Sequence, residues 1–426
     1  MSGAEIVAVT AWEALDSRGT PTVGCEVRLA GGGHGQVIVP SGASTGGHEA
    51  HELRDGDPDR YDGRGVRRAV RNVRGGLSDA ALGRDAGDQE GLDEALCAAD
   101  GTPGLERLGA NAVLAVSLAT CLAAADGTRT PLYRHLAGGR PPELPLPMVN
   151  VVSGGAHAAD AIDLQDVLVV PVGADTLARA IEWARRARER TADVAEERGM
   201  PVALVADEGG LGLALGSNAD AFELVVEGIE RAGLQPGTDV AVAVDVAANR
   251  LRERDGYRLA VEGRSVTAGE WADELVGWCD RYPIVSIEDP FAEDDWAPCA
   301  ALTARIGDRV QVLGDDLFAT DQARLERGIE SGAANAVLLK PNQAGTLSRT
   351  AATWRRAVAA GYRTVLSARS GDTEDVWLAD LAVAWNTGQI KVGSTARSER
   401  TAKWNRLLQI EAELGRTARL ARPFSR

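Results

Sequence analysis

Beyond its first third, the chain alternates short apolar runs with stretches of helical periodicity, and the alternation continues for about 270 residues. Strand–helix alternation is typical of a parallel α/β domain, and this length suits an eight-stranded (β/α)₈ barrel. An open, doubly wound sheet is the alternative, but it normally has a glycine-rich phosphate loop after an early strand. The sequence contains neither GxGxxG nor GxxxxGK[ST], which favours the barrel. The predicted strands are LVVPVG, VALVAD, VAVAVD, PIVSIED, VQVLGDD, NAVLLK, RTVLSAR and GQIKVG.

The first third of the chain has a different pattern. EIVAVTAWEALDSRGTPTVGCEVRL and GGHGQVIVP predict an antiparallel meander with turns at Asp16–Gly19 and Gly31–Gly33. RGVRRAVRNV, DQEGLDEALCAA and ANAVLAVSLATCLAAADG then carry apolar residues at helical spacing. We therefore expect an α+β domain over residues 1–138 and the barrel over residues 139–426, with the Pro-rich stretch 138–152 as a linker or entry segment.

Composition and charge narrow the class of function. The 426 residues exceed one ordinary core, so two domains are expected, and 44% hydrophobic with 25% charged residues is typical of a globular protein. A net charge of −16 argues against a nucleic-acid partner. Five scattered cysteines without CxxC spacing indicate reduced thiols and a cytoplasmic location. We expect no secretion signal, and no membrane span because we find no apolar run of 18 residues.

Ionisable residues end seven of the predicted strands, first four acids and then three bases. One acid at such a position is usually a helix cap or an ordinary loop residue. In a barrel, however, the carboxyl ends of the strands meet at one mouth, so seven charged ends predict a common site. The seven residues are Glu208, Asp245, Glu288, Asp315, Lys340, Arg369 and Lys391.

Three of these acids, Asp245, Glu288 and Asp315, follow adjacent predicted strands. Unpaired, they would repel one another, and burying each would be costly. A hard divalent cation removes this problem, because oxygen ligands suit Mg²⁺, and the absence of neighbouring His or Cys argues against zinc. An ion-pair network with Lys340 and Lys391 is the alternative, although two lysines satisfy two acids more easily than three.

The remaining strand ends indicate the chemistry. A metal ion near Lys340 would lower its pKa, which suits a base that removes a proton α to a carboxylate. The enediolate formed needs concentrated positive charge. Glu208, in the turn ADEGG, is a candidate proton donor to a leaving hydroxyl. Arg369, Ser370 and Lys391 are candidates to bind an anionic ester, most simply a phosphate.

Two small-residue loops are further candidates. VPSGASTGGHEA is rich in glycine and hydroxyl groups and is, by default, an ordinary surface loop. It could also be a lid, over residues 40–47, that supplies an oxygen ligand to a second metal ion. The second loop, VSGGAHAAD, spans residues 152–160 and contains His157, one of only five histidines.

Motifs along nearly the whole chain resemble those of the enolase (phosphopyruvate hydratase) family. In order, they are DSRGTPTV, VPSGASTG, LVADEGG, PIVSIEDPFAEDDW, GDDLFAT, LLKPNQAGTLS, RSGDTEDVWLADLAV and GQIKVGSTARSERTAKWNRLLQIEAELG. The resemblance implies a small α+β domain followed by an irregular (β/α)₈ barrel with an antiparallel departure near its start. It also implies two Mg²⁺ ions per active site, a small anionic phospho- or phosphono-carboxylate substrate, and a homodimer or homo-octamer.

The resemblance also implies roles by position. The family's metal ligands match Asp245, Glu288, Asp315 and, on the lid, Ser41. Its general base matches Lys340, and its general acid matches Glu208. Its substrate contacts match His157, Asp166, Arg369, Ser370 and Lys391.

The chain departs from the family pattern around the predicted pocket. The family motif Ser-His-Arg-Ser-Gly reads Ser-Ala-Arg-Ser-Gly here, so Ala368 stands where a histidine is expected. The family's Gln-Glu pair is Gln165–Asp166, which is one methylene shorter, and Pro341 follows the predicted base. The loop at 152–160 is altered as well, at Ser153, Ala156 and Ala159.

The pattern of departures indicates specialisation. Drift should damage metal ligands as readily as pocket residues, and the ligands are retained. We therefore expect an enzyme for a phosphonate analogue of 2-phosphoglycerate, similar to the family's carboxyphosphonoenolpyruvate synthases of phosphonate and phosphinate antibiotic pathways. The alternatives are an ordinary glycolytic enolase, which converts 2-phosphoglycerate to phosphoenolpyruvate and water, and a non-catalytic binding protein with this fold.

Overall fold

The structure, a computed structural model, describes residues 3–42 and 46–425. Its N-terminal part begins with three antiparallel strands, β1 (Ile6–Leu15), β2 (Pro21–Leu29) and β3 (His34–Ile38), paired in that order. Both predicted turns are confirmed, because the chain reverses between β1 and β2 and again between β2 and β3.

Helices cover this meander. They are α1 (Arg67–Asn72), α2 (Ser78–Ala81), α3 (Gln89–Asp100), α4 (Ala110–Gly127) and α5 (Leu132–Ala137), with a π-helical turn at Val73–Leu77. α4 lies directly on the sheet, so closely that a Cβ added to Gly35 would lie 2.0 Å from the carbonyl oxygen of Ala119. The expectation that the chain has no apolar run of 18 residues is wrong, because α4 has that length and a mean hydropathy of 1.4. It is 83% buried within the protein, as the core helix of a folded domain is.

The remaining strands form a barrel and a small accessory sheet. They are β4 (Leu146–Ser153), β5 (Asp166–Val170), β6 (Leu211–Gly212), β7 (Ala241–Asp245), β8 (Arg252–Glu253), β9 (Gly256–Leu259), β10 (Arg264–Val266), β11 (Ile284–Glu288), β12 (Gln311–Gly314), β13 (Ala336–Leu339), β14 (Arg363–Ser367) and β15 (Gly388–Gly393). The barrel consists of β4, β5, β7 and β11 to β15, and pairing of β15 with β4 closes it. β5 is antiparallel to both neighbours, as the family resemblance implies.

Helices alternate with these strands. They are α6 (Leu177–Glu197), α7 (Asn218–Arg231), α8 (Ala268–Arg281), α9 (Trp296–Ile306), α10 (Gln322–Ser331), α11 (Pro341–Ala344), α12 (Leu347–Ala359), α13 (Trp377–Trp385) and α14 (Ser398–Leu414). The predicted strand–helix alternation and the expected fold, an α+β domain followed by a (β/α)₈ barrel, are therefore confirmed.

One strand prediction and the linker prediction are wrong. VALVAD is a loop in which Leu204 is 82% exposed, and only Val205 makes a single bridge, to Leu211. The Pro-rich stretch was predicted as a linker, but its end forms β4, whose eight residues are all buried. Pro147 is accommodated inside this strand. Glu208 consequently lies on a loop and not at the end of a strand.

A loop of the N-terminal part reaches the barrel mouth. The backbone N–H of Ser41 donates to the carbonyl oxygen of Gly371 at 2.8 Å, and the reverse hydrogen bond is 2.9 Å long. Gly371 follows β14, so this bridge joins the segment after β3 to the end of the barrel that carries the charged residues.

Candidate active site

The predicted acids and lysines meet at the carboxyl end of the barrel. Asp245 and Glu288 are the last residues of β7 and β11, and Asp315 follows β12. Lys391 Nζ, from β15, donates to Asp245 Oδ2 at 2.7 Å and to Glu288 Oε2 at 2.8 Å. Lys340 Nζ donates to Asp315 Oδ2. The ion-pair network that the sequence left as an alternative is therefore present.

The chemistry of the donor set suits a magnesium ion, although Asp245, Glu288 and Asp315 are not among the groups of described residues whose ligand atoms all lie within 4.8 Å of one another. All three carboxylates are buried and supply only oxygen atoms, the ligands that this cation prefers. Burial and then Asp245 raise the pKa of Glu288 well above its usual value, with a further contribution from Asp315. Two lysines therefore leave an excess of negative charge that a divalent cation would offset.

Two further acids were not predicted. Asp289 and Asp316 follow Glu288 and Asp315 in the sequence, and oxygens of Asp289, Asp315 and Asp316 lie within 4.8 Å of one another. Burial and Asp315 raise the pKa of Asp316 to about 7. The sequence signal for these two residues was the pair of adjacent acids in IEDP and in GDDL. Two adjacent acids do not indicate which of the two carboxylates faces the site.

Asp289 acts as an anchor for the loop after β12. It accepts hydrogen bonds from the backbone N–H groups of Asp315 at 3.0 Å and Asp316 at 2.7 Å. Its own backbone is left-handed, with φ +41°. Asp289 thus fixes the position of Asp315, the predicted metal ligand.

A second polar cluster lies around His157. Its Nδ1 is 2.8 Å from Asp166 Oδ2, and its Nε2 is 3.9 Å from Glu208 Oε1. Ser153 Oγ donates to the other oxygen of Asp166 at 2.6 Å, and Asn150 Nδ2 donates to Glu208 Oε2 at 3.0 Å. Asp166 therefore orients the imidazole through Nδ1, while Nε2 faces Glu208.

Electrostatics set the protonation of this cluster. Burial alone would lower the pKa of His157, but the Asp166 and Glu208 carboxylates raise it to about 9. Burial alone would raise the pKa of Glu208, but His157 and the Arg400 guanidinium lower it to about 2. At neutral pH the two groups form an imidazolium–carboxylate pair.

Lys340 is held in its charged form. Burial opposes the charge, but Asp315 raises the pKa of Lys340 above its usual value. A base at this position needs a lower pKa. Positive charge bound beside Asp315 would provide it, because it offsets the carboxylate that now stabilises the ammonium group.

These groups line an inner cavity of about 20 Å³, enough for a water molecule. An outer cavity of about 380 Å³ suits a small molecule, and Arg369 lines both. Ala368 is buried and lines the inner cavity, whereas Asp166 is not among the described residues that line it. The lining residues are His157, Gln165, Glu208, Asp245, Lys340, Ser367, Ala368, Arg369, Ser370 and Lys391.

Residues of the first domain hold the predicted anion-binding residues. Arg369 Nη1 donates to Glu49 Oε2 at 2.8 Å, and its Nη2 donates to Glu49 Oε1 at 3.2 Å. Arg18 Nη1 lies 3.5 Å from Ser370 Oγ. Glu49 and Arg18 were not predicted, because their partners lie more than 300 residues away.

Ser41, the predicted lid ligand, lies at the edge of this region. Its hydroxyl accepts a hydrogen bond from Arg54 Nη2 at 2.8 Å and lies 3.4 Å from Glu52 Oε2. Residues 43–45 of the predicted lid lie outside the described residues. The role of Ser41 as a metal ligand stays a prediction.

Comparison with protein families gives two matches. The model of the enolase C-terminal TIM barrel domain matches residues 142–423. The model of the enolase N-terminal domain matches residues 6–136. Together the two matches cover nearly the whole chain.

Proposed function

Because this chain belongs to the enolase family and is therefore a lyase, we propose that it catalyses magnesium-dependent removal of a proton α to a carboxylate. Lys340 takes the proton. Glu208 is ionised in the free protein, so it must first gain a proton before it can transfer one to the leaving group. Asp245, Glu288 and Asp315 would hold Mg²⁺, which stabilises the negative charge of an enediolate. The product is of the phosphoenolpyruvate type.

We propose that the substrate is a phosphonate analogue of 2-phosphoglycerate, as in carboxyphosphonoenolpyruvate synthases. One observation carries this proposal: Ala368 lines the inner cavity beside Arg369, Lys340 and Lys391, where the family pattern has a histidine. A methyl group there occupies less volume than the imidazole of the family pattern, and the cations beside it are of the type that binds anionic groups.

The surroundings of Asp166 support the same substrate. Its carboxylate is engaged by Ser153 and His157 instead of lining the inner cavity. The shorter side chain thus withdraws a negative charge from the cavity, which reduces repulsion of a more anionic ligand. His157 remains able to contact that ligand through Nε2.

Steady-state kinetics with Mg²⁺ test this substrate. The wild type should turn over a carboxyphosphono analogue of 2-phosphoglycerate with a higher kcat/KM than 2-phosphoglycerate itself. Ala368→His should raise activity on 2-phosphoglycerate, and the matched variant Ala368→Leu, which fills similar volume without a ring nitrogen, should not. A normal enolase rate in the wild type, or no gain in Ala368→His, would contradict the specialised substrate.

An ordinary glycolytic enolase is the second candidate. Retention of Lys340, Glu208 and the three predicted metal ligands favours it. A non-catalytic binding protein is less well supported, since it would not need this buried set of opposite charges. Magnesium-independent binding of inorganic phosphate, together with no turnover of either substrate, would favour that third function.

The oligomeric state and the number of metal ions follow from the resemblance, and the location follows from the scattered cysteines. We propose a cytoplasmic homodimer or homo-octamer with a small anionic substrate and two Mg²⁺ ions per site. We also propose a domain boundary between residues 138 and 139. Two left-handed glycines, Gly138 and Gly139, lie between α5 and β4 and support that boundary.

A further inference from the structure

Arg400 is a charged side chain that the catalytic proposal does not use. It is fully buried on the first turn of α14. A cation is unfavourable at the N-terminal end of a helix, because the helix dipole is positive there. Burying a guanidinium group is also costly unless its N–H groups find acceptors. Its position therefore depends on what it binds.

Its Nε lies 3.4 Å from Glu399 Oε1, and its Nη atoms donate to backbone carbonyls of the cavity walls. Nη1 donates to the carbonyl oxygen of Arg369 at 2.6 Å, and Nη2 donates to that of Ser370 at 2.6 Å. Longer contacts of 3.5 Å reach the carbonyl oxygens of Val392 and Asp207. These two residues adjoin Lys391 and Glu208 in the sequence. One guanidinium thus contacts the backbone of three segments that carry the site.

Gly393 makes this close approach possible. A Cβ at this position would lie 2.8 Å from Arg400 Cδ and 2.7 Å from the carbonyl oxygen of Glu208. Its backbone φ is +100°, a value that residues other than glycine rarely adopt. The end of β15, Arg400 and the Glu208 loop therefore pack without room for a side chain.

From these contacts we propose that Arg400 is a positioning residue, which holds the Arg369–Ser370 loop and the Glu208 loop in register with Lys391. It is not among the described residues that line the inner cavity, and its hydrogen bonds to those residues are made to their backbone carbonyls. A planar guanidinium can donate to several carbonyls at fixed angles, whereas the single ammonium group of lysine cannot. The proposal rests on the proposed function, since the register matters for binding and proton transfer.

The test is Arg400→Lys, with Arg406→Lys as the matched control. Arg406 is on the same helix and pairs with Asp380, through contacts of 2.8 and 2.6 Å, and it does not line the cavity among the described residues. Arg400→Lys should lower kcat on the order of 100-fold, and should weaken inorganic phosphate binding in isothermal titration. The control should stay within about twofold of the wild type in both, because its contacts lie away from the site.

Two readouts separate the outcomes. If the wild type turns over no phospho- or phosphono-carboxylate, the proposed function fails, yet phosphate affinity still tests Arg400. Unchanged phosphate affinity and kcat in Arg400→Lys would overturn the positioning role. If circular dichroism shows that Arg400→Lys is unfolded, Arg400→Gln, which carries no charge to bury, replaces it. Unfolding of both variants beside a folded control would assign Arg400 to folding and overturn the proposal.

Discussion

The carboxylate of Glu49 and the guanidinium of Arg369 form a buried two-point ion pair, with contacts of 2.8 and 3.2 Å between residues 320 positions apart. Arg369 is also a predicted binder of the substrate's anionic group. Glu49 thus occupies donors that a bound anion would use. A ligand carboxylate or phosphate has the same geometry as this side chain and competes for the same N–H groups.

Glu49→Gln should therefore strengthen anion binding. A neutral amide holds Arg369 less tightly than a carboxylate does, so displacing it costs less. We expect the Kd for inorganic phosphate to fall about threefold to tenfold by isothermal titration, equivalent to about 1 kcal/mol. The control is Glu90→Gln, which removes an exposed carboxylate that pairs with Arg355. Weaker phosphate binding by Glu49→Gln would indicate that Glu49 holds Arg369 in its binding position.

Proton exchange can assign the predicted base and acid separately. In D₂O, the wild type with Mg²⁺ should exchange the α-proton of its substrate, and Lys340→Ala should lose this exchange by about 10²-fold or more. Glu208→Gln should keep the exchange but lose turnover, because only departure of the leaving group needs its proton. NMR of the recovered substrate measures both. Exchange retained in Lys340→Ala would place the base elsewhere.

Magnesium should stabilise the folded protein. An ion that binds only the native state raises the free energy of unfolding by about 2.7 kcal/mol at 100 times its Kd. Thermal unfolding with and without Mg²⁺ measures the shift, and Asp245→Asn should abolish most of it. Asp280→Asn is the control, because that carboxylate is exposed and pairs with Arg309. An equal shift in Asp245→Asn and the wild type would mean that magnesium binds elsewhere.

His157 should make stability depend on pH. Its pKa is about 9 in the folded protein, above the usual value near 6.5. The stabilisation it provides is therefore complete below about pH 6.5 and is lost as the pH rises through 9. The free energy of unfolding, from urea titrations, should fall on the order of 1–3 kcal/mol across this window.

The matched variant isolates this contribution. Buried thiols also make the folded protein less stable at high pH. Burial, with a smaller contribution from Glu26, raises the pKa of Cys25 to about 12. His157→Gln keeps these thiols but cannot titrate at residue 157. Its stability should fall less steeply between pH 6.5 and 9, and an equal slope in both proteins would contradict the assigned pKa shift.

The sequence by itself determined the architecture, and it predicted which residues form the candidate site. Strand–helix alternation depends on residues close together in the sequence, so it can be recognised without the tertiary structure, and it predicted most of the barrel strands. Asp245, Glu288, Asp315 and Lys340 were predicted to lie near one another because the carboxyl ends of barrel strands converge. The altered pocket residue Ala368 was visible only against the family pattern.

The tertiary structure decided the pairings. Whether an apolar run becomes a strand depends on a partner for its backbone, so Leu204 became exposed loop while Pro147 entered a buried strand. Lys391 contacts Asp245, and Arg369 contacts Glu49, across 146 and 320 residues of sequence. Such contacts depend on chain folding and have no local signature, so which charge neutralises which carboxylate could be read only from the folded chain.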